Sequence, residues 1–292
     1  MKTTLLYLSI ILISISCTNK KKASLNYFNL AETYFKKENY KKADSVCDLS
    51  ILNDSTNIRA VILKSKIKAN QSDFSGALNI LKAKLKSGQS LDTMYYLLGN
   101  YNFSIALEKS KSVEKDKSTY EKEYWNLSKT YYDSALKYNS YYYKVYLEKS
   151  KVLHNLEDYE NSMILLNKTI DIFPDSLELI YNRGVEKKFL GDNIGALKDL
   201  KKSIATGKLD SANVATAYRF MSFIYSDNKE FDTAISILTT ALKFNVKDEM
   251  LFFIRGDLYL KLNKKDSACE DFRKAADLGV MVAYESIKEN CK

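Results

Sequence analysis

The sequence predicts an all-α protein, a solenoid of about seven helix-turn-helix repeats followed by a capping helix. The first observation is that a small residue recurs at two offsets along the 292-residue chain. In each series most spacings are 34 residues, with one of 51 and one of 38. The first series is Ala31, Ser65, Gly99, Ser150, Gly184, Ser222 and Gly256, and the second is Ala43, Ala77, Ser128, Ser162, Ala196, Ala234 and Ala268. Because helices approach closely only at small side chains, two such positions per unit predict a helix pair that also packs on the next pair.

The second observation is that apolar, mostly large, side chains recur at two further positions of the same unit. With the first small residue counted as position 8, position 4 is Tyr27, Val61, Tyr95, Tyr146, Ile180, Tyr218 and Phe252, and position 24 is Cys47, Leu81, Tyr132, Leu166, Leu200, Leu238 and Phe272. The pattern resembles the tetratricopeptide repeat over roughly residues 24–282. This resemblance implies a right-handed superhelix whose concave wall is formed by the first helix of each repeat. Departures from the family pattern include Lys64, Lys68 and Lys187 at usually apolar positions.

We expect one continuous array over residues 24–292, because a solenoid grows by adding units rather than separate cores. The repeats are predicted at about 24–57, 58–91, 92–142, 143–176, 177–210, 215–248 and 249–282, with a capping helix at 280–292. Since the chain has one Pro and nine Gly, its helix ends are expected to depend on polar caps such as Asp73.

Two insertions interrupt the predicted array. The third repeat has 17 additional residues between its helices, over 104–120, and apolar residues on both sides predict a helical hairpin with a charged tip. Its role stays open between a contact element and an insertion without a role. A second insertion of four residues lies near 211–214, before the sixth repeat.

Residues 1–16 are predicted to be a signal peptide, since Lys2 precedes an apolar run that is too short to span a bilayer. The run ends at Ser16 and Cys17, which resembles a bacterial lipoprotein cleavage site. That resemblance implies that Cys17 becomes the acylated N-terminus and that residues 17–23 form a basic tether to the membrane. An ordinary secretory signal, with an incidental Cys, is the alternative.

The residues after Cys17 bear on the expected location. Lipoproteins of Bacteroidota type that reach the cell surface tend to carry acidic residues there, whereas Lys20, Lys21 and Lys22 follow in this chain. By this resemblance we expect an exported outer-membrane lipoprotein that faces the periplasm, with exposure at the cell surface as the alternative.

Cysteine usage is consistent with an oxidising compartment, where thiols tend to pair. Cys269 lies in the second helix of the last repeat and Cys291 in the predicted cap, so a disulfide between them is our hypothesis. Cys47 occupies a packing position and is expected to be a buried thiol.

The first-helix positions that form the concave wall combine aromatic and polar residues. The candidate partner-binding residues are Phe28, Tyr96, Asn100, Lys151, Tyr181, Asn182, Arg219, Phe223 and Phe253. Such a surface suits an extended peptide or a partner helix, whereas the alternative is that its aromatic residues only pack between adjacent repeats. Family members that clamp chaperone C-termini use a set of Lys, Asn and Arg residues, of which only Asn182 is matched, so this clamp is not expected.

No residue pattern predicts catalysis, a cofactor or a metal site. The single histidine, His154, lies at position 12 of the fourth repeat, and the chain lacks a phosphate-binding glycine loop and metal-spaced His or Cys pairs. The formal charge of +9 could suit nucleic acid, but the expected export argues against it.

The sequence therefore predicts a non-catalytic scaffold, anchored to the cell envelope, that binds a protein or peptide in its groove as a monomer. A glycan- or nutrient-binding lipoprotein is one alternative, although such proteins use exposed aromatic platforms and this chain has a single Trp125. An assembly factor that acts through the inserted hairpin is the other alternative.

Overall fold

The computed structural model describes the backbone of residues 2–110, 117–244 and 248–291, and side chains from residue 18 onward in those ranges except at 117–120. These ranges contain fifteen α-helices, one 3₁₀ turn at Leu85–Ser87 and no strand, which confirms the all-α class. The helices are α1 (Lys2–Lys36), α2 (Tyr40–Asn53), α3 (Ile58–Asn70), α4 (Phe74–Lys84), α5 (Leu91–Ser110), α6 (Lys117–Tyr138), α7 (Tyr143–Asn155), α8 (Tyr159–Ile172), α9 (Leu177–Phe189), α10 (Asn193–Ile204), α11 (Ser211–Asp227), α12 (Phe231–Ala241), α13 (Glu249–Lys261), α14 (Lys265–Asp277) and α15 (Met281–Asn290).

The chain divides into two compact units, Met1–Val152 and Leu153–Lys292. In the first unit α1 packs on α2, α3 on α4 and α5 on α6. In the second unit α9 packs on α10, α11 on α12 and α13 on α14. Each unit is therefore built from consecutive helix pairs, as the spacing of small residues predicts.

The two small positions of each pair mark where its helices cross. At Gly99, a methyl group would lie 2.4 Å from the Tyr132 ring, and at Gly256 it would lie 2.7 Å from the Phe272 ring. Tyr132 and Phe272 are both fully buried. Position 8 must therefore lack a side chain where position 24 is aromatic, because the ring fills the space above the first helix.

The same backbone geometry recurs in the turn between the two helices of most pairs. Its fifteenth position has a left-handed φ in six repeats, at Glu38, Ser72, Glu157, Gly191, Lys229 and Asn263. Only one of these six residues is glycine, the residue that adopts this conformation without steric cost. Polar side chains then cap many of the following helices, for example Asp73 on the amide of Gly76 at 2.8 Å.

Basic residues at position 7 link adjacent helix pairs across a separation of 16 residues. Lys64 pairs with Asp48 and Lys149 with Asp133, in each case the residue 16 positions earlier. Arg183 and Arg255 likewise donate hydrogen bonds to the residue 16 positions earlier, Asn167 and Thr239 respectively. These arginines also form paired hydrogen bonds forward, to Asp199 and Asp271.

The lysines at usually apolar positions form ion pairs with carboxylates instead of extending into solvent. Lys68 lies 3.0 Å from Asp44, and Lys187 lies 2.7 Å from Asp199. Burial acts to raise the pKa of Asp199, but hydrogen bonds from Arg183 and Lys187 outweigh it and hold that pKa below its usual value. The charged network replaces apolar packing at these positions.

The two insertions lengthen helices. The helices that flank the first insertion, α5 and α6, have 20 and 22 residues, while its tip at 111–116 lies outside the described residues. The second insertion forms the first turn of α11, which Asp210 caps, and buries Val214 beside Leu209. Among the described residues, none of the helices is both long enough and apolar enough to cross a membrane.

Candidate functional site

Two of the expected groove residues do not offer an open surface. Phe28 is 4% exposed and lies in a core cluster, with the Arg59 guanidinium 4.5 Å from its ring centre. Tyr181 is 9% exposed, and burial raises the pKa of its phenol to about 12. The expectation of an accessible groove is corrected at both positions, because each ring fills the core of its own unit.

In the first unit, the remaining candidates contact other residues of the chain. The amide oxygen of Asn100 accepts a 2.6 Å hydrogen bond from the Tyr132 hydroxyl. The half-buried Tyr96 ring lies 5.0 Å from the ring of Tyr142, centre to centre. The Lys151 ammonium lies 3.0 Å from the Glu148 carboxylate.

In the second unit, four candidates are half-buried: Asn182, Arg219, Phe223 and Phe253. The Phe253 ring packs 5.7 Å from the ring of Phe272 and so belongs to the core of the last helix pair. The positive charge of Arg219 acts to lower the pKa of the Tyr181 phenol, against the larger effect of burial. Phe223 lines an open cleft.

We call this opening the Phe cleft, and define it by Phe189, Phe220, Phe223, Lys188 and Asp227. It has a volume of about 280 Å³. The Phe189 and Phe220 rings meet edge to face at 6.0 Å, and the Phe220 and Phe223 rings do so at 6.2 Å. The Lys188 ammonium and the Asp227 carboxylate form a 2.8 Å ion pair.

Two helices that pack together build the Phe cleft. The last turn of α9 provides Lys188 and Phe189, and α11 provides the other three residues. Residues 220, 223 and 227 are three and four apart, so they lie on one face of α11. The cleft is therefore fixed by regular helices rather than by a loop.

A second group of side chains, Tyr159 and His154, packs against Phe189. Its ring stacks on Tyr159 at 5.0 Å and meets the His154 ring edge-on at 4.8 Å. His154 Nδ1 lies 3.0 Å from the Glu186 carboxylate, which is 2% exposed and also accepts a 2.9 Å hydrogen bond from Ser162. The buried carboxylate thereby fixes the imidazole against the Phe189 ring.

The arrangement of His154, Glu186 and Ser162 does not suit nucleophilic catalysis. A serine nucleophile is activated by a histidine that takes its proton, and it must be open to substrate. Here the Ser162 hydroxyl donates to Glu186, and Ser162 is fully buried. In the part of the chain that the structure describes, no three His, Cys, Asp or Glu side chains are grouped to hold a metal ion.

Of the five Phe cleft residues, only Phe223 is among the partner-binding residues predicted from the sequence. Phe223 occupies position 9 of its repeat. The twelfth and thirteenth positions, which the resemblance also assigns to the concave wall, contain Lys188, Phe189 and Asp227. Applying the same count to those positions would have found three of the other four.

The three cysteines with described side chains and the tryptophan lie apart from the Phe cleft residues in sequence and have other roles. Cys269 and Cys291 form a disulfide, with their Cα atoms 5.6 Å apart. Cys47 is buried, its thiol donates to the carbonyl of Ala60 at 3.0 Å, and burial raises its pKa to about 12. Trp125 is 3% exposed and packs edge-on against Phe103, so it offers no surface platform.

Comparison with known proteins identifies the repeat. A family model described as tetratricopeptide repeat matches residues 26–57, 143–176 and 251–278. A tetratricopeptide repeat protein from Parabacteroides merdae has a similar structure, with a TM-score of 0.67 and 15% identity over 93% of this chain and 100% of that one. Tom70 from yeast is similar with a TM-score of 0.56 and 18% identity, over 92% of this chain and 52% of Tom70.

One curated protein is similar in sequence over part of the chain. A 150-residue segment is 31% identical to the CRISPR-associated endoribonuclease Cas13a of Leptotrichia buccalis, covering 49% of this chain and 12% of that protein. The chain thus spans a small part of that relative's length.

The three family-model matches and the consecutive helix pairs together show that the chain contains tetratricopeptide repeats in an all-α fold.

Proposed function

We propose that this chain is a non-catalytic scaffold that binds an envelope protein through the Phe cleft, which receives an apolar side chain of an extended peptide segment. The observation that carries the proposal is an open pocket lined by three phenylalanine rings on regular helices. Large aromatic side chains at rigid positions are the residues that most often dominate binding energy at protein interfaces.

The dimensions of the cleft support a side chain as its occupant. A volume of about 280 Å³ lies just below the usual range for small-molecule sites and suits one or two apolar side chains. The Lys188–Asp227 ion pair beside the rings offers a donor and an acceptor to a peptide backbone. Peptide recognition commonly combines such polar contacts with apolar anchoring.

In-cell crosslinking tests the proposal directly. The wild-type chain, a Phe189→Ala, Phe223→Ala double variant and an Ile194→Ala control are crosslinked in the cells that make the protein, and captured proteins are identified by mass spectrometry. Ile194 is 86% exposed on α10 and lies outside the Phe cleft, so its variant controls for loss of apolar surface alone.

We expect one envelope protein to be captured by the wild type and the control but lost from the double variant. Circular dichroism confirms that all three chains are folded. Equal capture by all three chains contradicts a role for the cleft, and capture of no protein by any of them would favour the glycan- or nutrient-binding alternative.

We also propose that the scaffold is tethered through lipid on Cys17, with the repeats on the periplasmic side of the outer membrane. The support is the signal-like sequence of residues 1–16, and each buried methylene of an acyl chain adds about 0.8 kcal/mol of membrane affinity. Metabolic labelling with an alkynyl fatty acid should mark the wild type but not Cys17→Ala. Labelling of both chains, or of neither, argues against this tether.

A further inference from the structure

The last helix, α15, packs on α14 through a small apolar contact. Of its residues only Ala283 is fully buried, against Ala275 and Ala276 of α14, while Ile287 is partly buried beside it. The Tyr284 hydroxyl donates a 3.2 Å hydrogen bond to the carbonyl of Ala276. An isolated helix of ten residues is marginal in water, so these contacts must provide most of what keeps α15 folded.

A covalent bond supplements these contacts. The Cys269–Cys291 disulfide joins α14 to the residue that ends α15, across a sequence separation of 22 residues. A bond across such a segment stabilises the closed arrangement by lowering the entropy of the open one. Without it, α15 depends on the packing of Ala283 and the partly buried Ile287 and on the hydrogen bond from Tyr284.

Both cysteines line a small polar pocket. The pocket has a volume of about 180 Å³ and is lined by Lys265, Asp266, Arg273, Asn290 and the two cysteines. Because Cys269 is 6% exposed and Cys291 is half-buried, an external thiol meets less steric hindrance at Cys291. Lys265 and Arg273 lie one helical turn on either side of Cys269, where positive charge favours a leaving thiolate.

We propose that this disulfide is a thiol-reducible latch for α15, a device separate from the Phe cleft. The reductant is a small thiol or a dithiol protein of the oxidoreductase class. Its thiolate attacks Cys291 Sγ and forms a mixed disulfide, while Cys269 leaves as a thiolate and takes a proton. A second thiol of the reductant then displaces Cys291, which gives two protein thiols and one oxidised disulfide of the reductant.

Opening the latch releases α15 from the surface that it covers. That surface consists of Ala275 and Ala276 with the partly buried rings of Phe252 and Phe253. The redox state of the surroundings would therefore control whether an apolar face of α13 and α14 is available for contact.

Hydrogen exchange measured by mass spectrometry tests the latch on the full chain. After reduction with dithiothreitol, amides of residues 281–290 should exchange about ten-fold faster or more, while amides of α13 keep their protection. Cys291→Ser should show the fast exchange without reductant. Cys47→Ala, which removes the other described thiol, should behave as the wild type in both states.

Two results would overturn the latch. One is equal protection of residues 281–290 in the oxidised and reduced chains, because non-covalent contacts would then hold α15. The other is loss of protection throughout α13 and α14 together with α15, which would make the disulfide a general structural bond.

The role of the pocket is tested by reduction rates. Glutathione is anionic and 2-mercaptoethanol is neutral, so the positive charge of Arg273 should attract only glutathione. Arg273→Ala should therefore lower the ratio of the glutathione rate to the mercaptoethanol rate. An unchanged ratio would overturn the assignment of the basic pocket as the route of the thiol.

Discussion

At the scale of single residues, complementary size at positions 8 and 24 decides how closely two helices of a pair approach. Repeats with a ring at position 24, as at Tyr132 and Phe272, have glycine at position 8. Where position 24 is the smaller Cys47, position 8 is Ala31. The small residue at position 8, by which the repeat is recognised in the sequence, thus leaves the space that the side chain at position 24 fills.

Substituting these glycines tests the size rule. Gly99→Ala gains about 1 kcal/mol of helix propensity but places a methyl group 2.4 Å from Tyr132, an overlap that costs about 1–3 kcal/mol. We expect a net loss of stability in a urea titration. Gly184→Ala meets Leu200 at 3.0 Å and should be close to neutral. Equal effects of the two variants would contradict the rule.

The buried ion pairs predict a contrast between neighbouring residues. Asp271 is 2% exposed and holds Arg255, so Asp271→Asn should lower the free energy of unfolding by about 3 kcal/mol. The adjacent Glu270 pairs with Lys274 on the surface, and Glu270→Gln should leave the urea midpoint unchanged. A large effect of Glu270→Gln, or none of Asp271→Asn, would contradict this assignment.

At the scale of elements, the left-handed residue in the turn between paired helices sets the geometry of the repeat. At Gly191, φ is +83° and no atom lies within 4 Å of where a Cβ would stand, so only backbone strain opposes a side chain there. Gly191→Ala should therefore cost about 1 kcal/mol. The converse change, Lys229→Gly, should be neutral or stabilising.

Thermal unfolding followed by circular dichroism measures both variants of the turn. A higher melting temperature for Gly191→Ala than for the wild type would show that the left-handed conformation is absent from the turn in solution.

At the scale of the whole molecule, the buried phenols and thiol predict loss of stability in alkali. Burial raises the pKa of Tyr101, Tyr181 and Cys47 to about 12. The unfolded chain releases these protons near the ordinary values of 10.0 and 9.0. Between those values and about pH 12 the unfolded state binds fewer protons, so stability is full below pH 9 and falls as pH rises.

Urea titrations at pH 8 to 11 measure this loss, and Tyr181→Phe is the matched variant. It removes one phenol and should make the decline of the urea midpoint less steep. A midpoint that stays constant to pH 11, or a slope that the variant leaves unchanged, would argue against phenol burial as the cause.

The fold was predictable from the sequence because the small residues at helix crossings recur at fixed spacing. The capping role of Asp73 was equally predictable, since a cap acts locally. The left-handed turn residues were not, because five of the six are not glycine. The burial of Phe28 and Tyr181 agrees with the alternative that groove aromatic residues only pack, and the sequence could not decide it, since a repeat position alone does not reveal how deeply its side chain packs. For the Phe cleft, the sequence contained the residues but not the contact between α9 and α11 that groups them.

Site-specific photocrosslinking tests most directly whether the Phe cleft is the binding site. A benzoylphenylalanine residue replaces Phe189 in one chain and Ile194 in a control chain, and both are irradiated in the cells that make the protein. The account predicts an adduct with one envelope protein from position 189, mapped to a peptide with an apolar side chain, and none from position 194. Adducts from 194 but not from 189 would contradict it.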